Sequence, residues 1–97
     1  MEFIFEVRDK TGRRIHLTRE RLSHILEHKG MEQYIEEIKN TLIKPIKIIP
    51  HDNGELYDYY TYYKHRKSKL NFLKVVVKFL NGEGYVLTAY FVPHITY

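Results

Sequence analysis

The stretch from Glu2 to Val7 alternates around Phe3 and Phe5 and predicts a strand. Asp9-Lys10-Thr11-Gly12 supplies turn chemistry, and Arg14 to Leu17 reads as the hairpin partner. From Thr18 the apolar spacing changes from two to three and four. At about 100° per residue, Leu22, Ile25, Leu26 and Lys29 form one stripe, with Arg21, His24 and His28 roughly opposite. Thr18 suits the N-cap, Glu20 favours the first turn, and Gly30 is placed to end this helix after about Lys29.

A second helix is predicted from about Met31 to Ile43, burying Tyr34, Ile35, Ile38 and Leu42 and exposing Glu36, Glu37 and Lys39. Pro45 cannot continue it, and Ile46, Ile48 and Ile49 suit a short strand. After the turn His51-Asp52-Asn53-Gly54 come a tyrosine-dense strand, Glu55 to Lys64, and a β-prone one, Leu70 to Leu80. Asn81-Gly82-Glu83-Gly84 then turns the chain into Tyr85 to Val92. The expected fold is α+β in the order ββααββββ, one domain over residues 1–97. An N-terminal hairpin and two helices would pack on a mainly antiparallel four-stranded sheet. With Leu73, Val75, Val77, Phe79, Leu87, Ala89 and Phe91 turned to the helices, Lys74, Lys78, Thr88 and Tyr90 would gather on the outer face.

Composition narrows the chemistry. With 43% hydrophobic residues, 97 positions can bury a core, and the lack of cysteine excludes disulfides and thiolate metal sites. No apolar run approaches the roughly 20 residues of a membrane span. Met1 to Glu6 lacks a signal-peptide pattern, so the cytoplasm is the expected compartment. A net charge of +4 leans toward anionic partners. The charge is concentrated in Lys64-His65-Arg66-Lys67-Ser68-Lys69, just after Tyr57, Tyr59, Tyr60, Tyr62 and Tyr63. Cations beside aromatic rings suit single-stranded nucleic acid, although a solvated hairpin tip would look the same.

The paired histidines are the sharpest chemical feature. Residues i and i+4 share a helix face, so His24 and His28 would project together and could exchange protons near neutral pH. Exposed helix positions, tyrosines packing a strand and lysines keeping an apolar strand soluble are the plainer readings of these same residues. His16, His51, His65 and His94 read as incidental.

Ile15-His16-Leu17-Thr18, His24-Ile25 with His28, Ile38 to Pro45, Val75-Val76-Val77-Lys78 and Thr88-Ala89-Tyr90, in that order, resemble a group of small nucleases. The group is the phage- and toxin-associated branch of the barnase, EndoU, colicin and RelE (BECR) superfamily, and the resemblance spans roughly residues 14 to 92. It implies helices leading into a curved antiparallel sheet and metal-independent endoribonuclease activity without a cofactor. It also implies a toxin role restrained by an antitoxin or immunity protein. The chemistry would be 2′-hydroxyl attack on the adjacent phosphate, with a base, an acid and cations at the transition state. The resemblance points first to His24, His28 and Thr88, with Tyr90 beside them as catalytic candidates. Arg21, Tyr63, Lys64, Arg66, Lys67, Lys74 and Lys78 are the RNA-binding candidates, and no metal ligand is implied.

Two alternatives remain at this point. One is a binding module for RNA or protein that has kept this fold without catalysis. The other follows from His24-Ile25-Leu26-Glu27-His28, which matches the H-x-x-E-H zinc-peptidase helix and would need Glu55 or Glu83 as a third ligand. Apolar residues on the outer sheet face could also be covered in a homodimer.

Overall fold

Alternating side chains commit each strand to two faces, and the register identifies the buried one. The computed structural model describes residues 3–64 and 68–96. Phe3–Arg8 (β1) and Arg14–Thr18 (β2) pair antiparallel, with Phe5 opposite Leu17 and Val7 opposite Ile15. The chain then forms helix α1 (Arg19–Ile25), a 3-10 turn (Met31–Gln33) and helix α2 (Ile35–Ile43). Strands β3 (Lys47–His51), β4 (Leu56–Tyr62), β5 (Phe72–Leu80) and β6 (Glu83–Val92) follow. No helix among the described residues is long and apolar enough to cross a membrane.

The expected four-stranded, mainly antiparallel sheet in the order ββααββββ, with the hairpin packed beside it, is corrected here. Six strands form one mixed sheet in the order β1-β2-β6-β5-β4-β3. β2 joins the centre of the sheet by running parallel to β6, with Ile15 beside Gly84 and His16 beside Tyr85. The join depends on a missing side chain. A Cβ on Gly84 would lie 2.8 Å from the Phe79 ring, 2.9 Å from Ile15 and 3.2 Å from the Arg14 carbonyl. Only glycine lets the two backbones approach so closely at this point.

Ile15, Leu17, Tyr59, Leu73, Val75, Val77, Val86 and Ala89 face the helices, where Ile25, Ile38 and Leu42 close a fully buried core. A bulge in β6 sets the opposite face. Val76 pairs with Thr88 but Val77 pairs with Val86, so Leu87 has no partner on β5. The expected sharing of one face by Leu87, Ala89 and Phe91 therefore fails. Val86 and Ala89 point inward, while Leu87 lies beside Tyr85, Leu80 and the start of α1.

α1 is shorter than its amphipathic pattern predicts. The Thr18 hydroxyl caps it, accepting from the Arg21 N–H at 3.2 Å, but regular helix ends at Ile25 instead of Lys29. Glu27 N–H then bonds to His24 O and His28 N–H to Ile25 O, three-residue steps that wind the chain more tightly. Gly30, at φ 85°, takes the left-handed conformation that starts the 3-10 turn. What the pattern presents as the first turn of a second helix is this turn, and α2 begins only at Ile35.

Candidate active site on the outer sheet face

β2 pairs with β6 only at its start, and α1 packs along β6 beyond that point. The buried face of α1 contributes Ile25 to the core. The tight turn that follows α1 brings His28 over the sheet, where Nε2 lies 3.5 Å from Thr88 Oγ1 and the ring lies 5.1 Å from Tyr90. His24 is 6.4 Å from His28 between ring centroids, is 48% exposed, and has Nδ1 3.9 Å from Glu27. The tight winding after Ile25 thus keeps the two imidazoles together although they no longer share one α-helix.

A polar track continues from this pair across the sheet. Lys74, opposite Tyr90 in the register, holds its ammonium 5.6 Å from the Tyr90 ring centroid. Its Nζ is 3.6 Å from Asp58 on β4, whose other oxygen lies 2.9 Å from His51 Nε2 on β3. Burial opposes the Lys74 charge, but Asp58, with Tyr60 and Tyr90, outweighs it and holds the lysine above its ordinary range. Burial also raises the neighbouring Tyr60 phenol, partly offset by Lys74, and so keeps it protonated.

Asp58 and His51 were not among the sequence candidates, and His51 had read as incidental. The available signal was Asp58 itself, an acidic residue inside a tyrosine-rich strand, where aspartate is disfavoured. It is only 6% exposed, and a buried carboxylate requires partners. His16 had also read as incidental, but it is buried beneath Phe3, with Nε2 2.9 Å from Glu83. Its Nδ1 is 3.3 Å from Glu6 without a hydrogen bond.

The structure links His28, Thr88, Tyr90 and Lys74 through successive contacts, and His24 joins them through His28. Arg21 is half-buried and lines the groove at the start of α1 beside Tyr85 and Leu87. Lys78 is exposed on the outer face but pairs with Tyr85, four residues or about 13 Å along β5 from Lys74. Tyr63 lies on the helix side, 6.0 Å from Phe91 between ring centroids, and burial raises its phenol. Lys64 is exposed just beyond β4. Arg66 and Lys67 lie outside the described residues.

The zinc-peptidase alternative lacks its third ligand. Glu83 is bound by Arg14 and His16, and Glu55 sits in the β3–β4 turn. Among the described residues, no three carboxylate or imidazole groups converge to hold a metal.

An imidazole, a hydroxyl, a phenol and an ammonium over one sheet face, with a second imidazole beside the first, form a surface suited to acid–base chemistry on an anion. A family model described as phage-Barnase-EndoU-ColicinE5/D-RelE like nuclease2 matches residues 5–92, and the chain belongs to that nuclease family. No curated protein and no solved structure matches it significantly.

Proposed function

We propose that this nuclease is a metal-independent endoribonuclease in which the ribose 2′-hydroxyl attacks the adjacent phosphate. The observation carrying this reading is His28 set against Thr88 and Tyr90, with the His24 ring 6.4 Å from it and the Lys74 ammonium 5.6 Å from the Tyr90 ring. One imidazole takes the 2′-hydroxyl proton and the other protonates the departing 5′-oxygen. The O2′–P bond forms as the P–O5′ bond breaks, leaving a 2′,3′-cyclic phosphate. Rings 6.4 Å apart can flank a single phosphate. The Lys74 ammonium, kept charged by Asp58, and the Thr88 hydroxyl offset the charge gathering on the non-bridging oxygens. Tyr90 holds the His28 ring through its own face. The phage- and toxin-associated resemblance extends the reading to a toxin held in check by a partner protein.

The test is end-labelled RNA incubated in EDTA with the wild type and with the His24→Ala/His28→Ala double variant. Fragments ending in 2′,3′-cyclic phosphate, absent with the variant, support the reading. RNA bound by both proteins and cut by neither retires it in favour of a binding module.

A further inference from the structure

A cavity of about 400 Å³ opens beside the His28–Tyr90 pair, between the 3-10 turn and β6. Met31, 2% exposed, contributes to its lining from the core side. Tyr34 and Phe91, edge to face at 4.9 Å, give it aromatic walls. The exposed Gln33 adds an amide, and Lys29 adds a cation. The family description and the acid–base chemistry above do not account for these residues.

A matching ligand is flat, has π faces for the rings and a hydrogen-bonding edge for the amide, and carries a negative charge at one end. An unpaired nucleobase on its sugar-phosphate has those properties, because sequence-selective RNA binding splays bases onto aromatic rings and reads their edges with polar side chains. The volume falls within the range of small-ligand pockets. His28 and Tyr90 belong to both the cavity and the catalytic cluster, so a base seated here lies next to the phosphate being attacked. We propose that this cavity is a nucleobase subsite, with Gln33 reading the base edge and Tyr34 and Phe91 supporting its face. The site would make cleavage selective for the nucleotide flanking the scissile bond. This inference rests on the nuclease reading of the adjoining cluster.

Gln33 is the discriminating position because it is solvent-exposed in a short turn and supports no core packing. Its amide both donates and accepts. Gln33→Glu leaves only acceptors, which favours guanine, whose N1–H and N2–H both donate. The experiment titrates the four nucleoside 3′-monophosphates, and inorganic phosphate as a control, into ¹⁵N-labelled protein. The proteins are the wild type, Gln33→Ala, Gln33→Glu and Lys74→Met. The wild type should prefer one base, with amide shifts at Gly30, Gln33 and Leu70 that phosphate alone does not produce. Gln33→Ala should weaken the preferred nucleotide about tenfold and level the four affinities, while Gln33→Glu should move the preference toward guanine. Lys74→Met should weaken all four alike.

Equal affinity for all four nucleotides, unchanged by either Gln33 substitution, would overturn the subsite. So would shifts reproduced by phosphate alone. RNA cleavage by the same preparations separates the two ideas. Cleavage without base selectivity removes the subsite and keeps the nuclease, whereas selective base binding without cleavage keeps the subsite and removes the catalytic reading.

Discussion

Two aspartates sit on opposite faces of the same sheet, each bonded to a cation, but their surroundings differ. On the helix side, Asp9 Oδ1 accepts from Thr11 N–H at 2.8 Å, Thr11 Oγ1 at 2.7 Å and Arg13 N–H at 2.9 Å. Its other oxygen accepts from the Tyr59 phenol and lies 3.5 Å from the Arg13 guanidinium. Arg13 in turn stacks 3.9 Å over Phe79 and 4.5 Å over Tyr57. Arg13 also donates to Thr11 Oγ1 at 3.0 Å and to the Tyr59 phenol oxygen at 3.3 Å, and the knot pins the β1–β2 turn to β4. On the outer face, Asp58 lies 3.6 Å from Lys74, and His28 lies 3.5 Å from Thr88. Asp58 is held on its other oxygen by His51 at 2.9 Å, but the Lys74 ammonium and the His28–Thr88 pair make only these long contacts and retain capacity for a ligand. Saturated polar clusters fix a fold, and partly saturated ones are where a substrate can complete the bonding.

The sharpest way to break this contrast is to remove one group from each face. His28→Ala should lower the RNA cleavage rate about 10³-fold, within the range for losing one general acid or base. Its melting temperature should stay near the wild-type value because the residue is exposed. A large fall in melting temperature would make His28 structural and erase the contrast. Asp9→Ala should do the opposite, lowering unfolding stability in urea by about 3 kcal/mol by stranding Tyr59 and Arg13. Cleavage per folded molecule should be unchanged.

Asp58→Asn preserves shape and removes the charge that holds the Lys74 ammonium in place. A loss of about tenfold in kcat/KM is expected, with a smaller change in stability than at Asp9. Equal losses of stability at Asp9 and Asp58 would reduce the outer track to a second structural knot.

Acid titration sharpens the comparison further. Burial pushes the Asp9 carboxyl up, but hydrogen bonds from Tyr59, Thr11 and Arg13 overcome this and hold it below its ordinary 3.8. The unfolded chain therefore binds the proton first. The contribution of Asp9 is fully present above the ordinary value and is lost as pH falls through the depressed one. Below pH 3.8 the wild type should lose stability more steeply than Asp9→Asn, as read from urea midpoints across pH. The smallest effect belongs to Glu27→Ala. Its carboxylate is exposed and 3.9 Å from His24, so stability should move by no more than about 0.5 kcal/mol and cleavage by no more than about twofold.

Local elements were largely legible because their causes are local. Thr18 caps where its hydroxyl can reach the Arg21 N–H, and the Asn81-Gly82 turn joins two strands that pair along their length. The i, i+4 spacing of His24 and His28 placed the two rings together even after regular helix gave way. The same pattern overran at Leu26 to Gln33, because amphipathic spacing does not distinguish an α-helix from tighter turns with similar facing. Tyr63 illustrates another limit. Tyrosine beside basic residues can be a stacking platform or a core residue, and the half-buried placement of Tyr63 against Phe91 is not visible in the residue pattern.

The amino-acid sequence by itself determined the strand and helix tendencies, the hairpin turns, the imidazole pair and the nuclease resemblance. Each is carried by residues close together in the chain or by their order along it. Tertiary structure decided the parallel join of β2 to β6, the bulge at Leu87, the Asp58 track and the cavity beside His28. These depend on register and close approach between segments far apart in sequence. A single unpaired residue reverses which side chains reach each face of a strand, and periodicity alone does not locate such a residue.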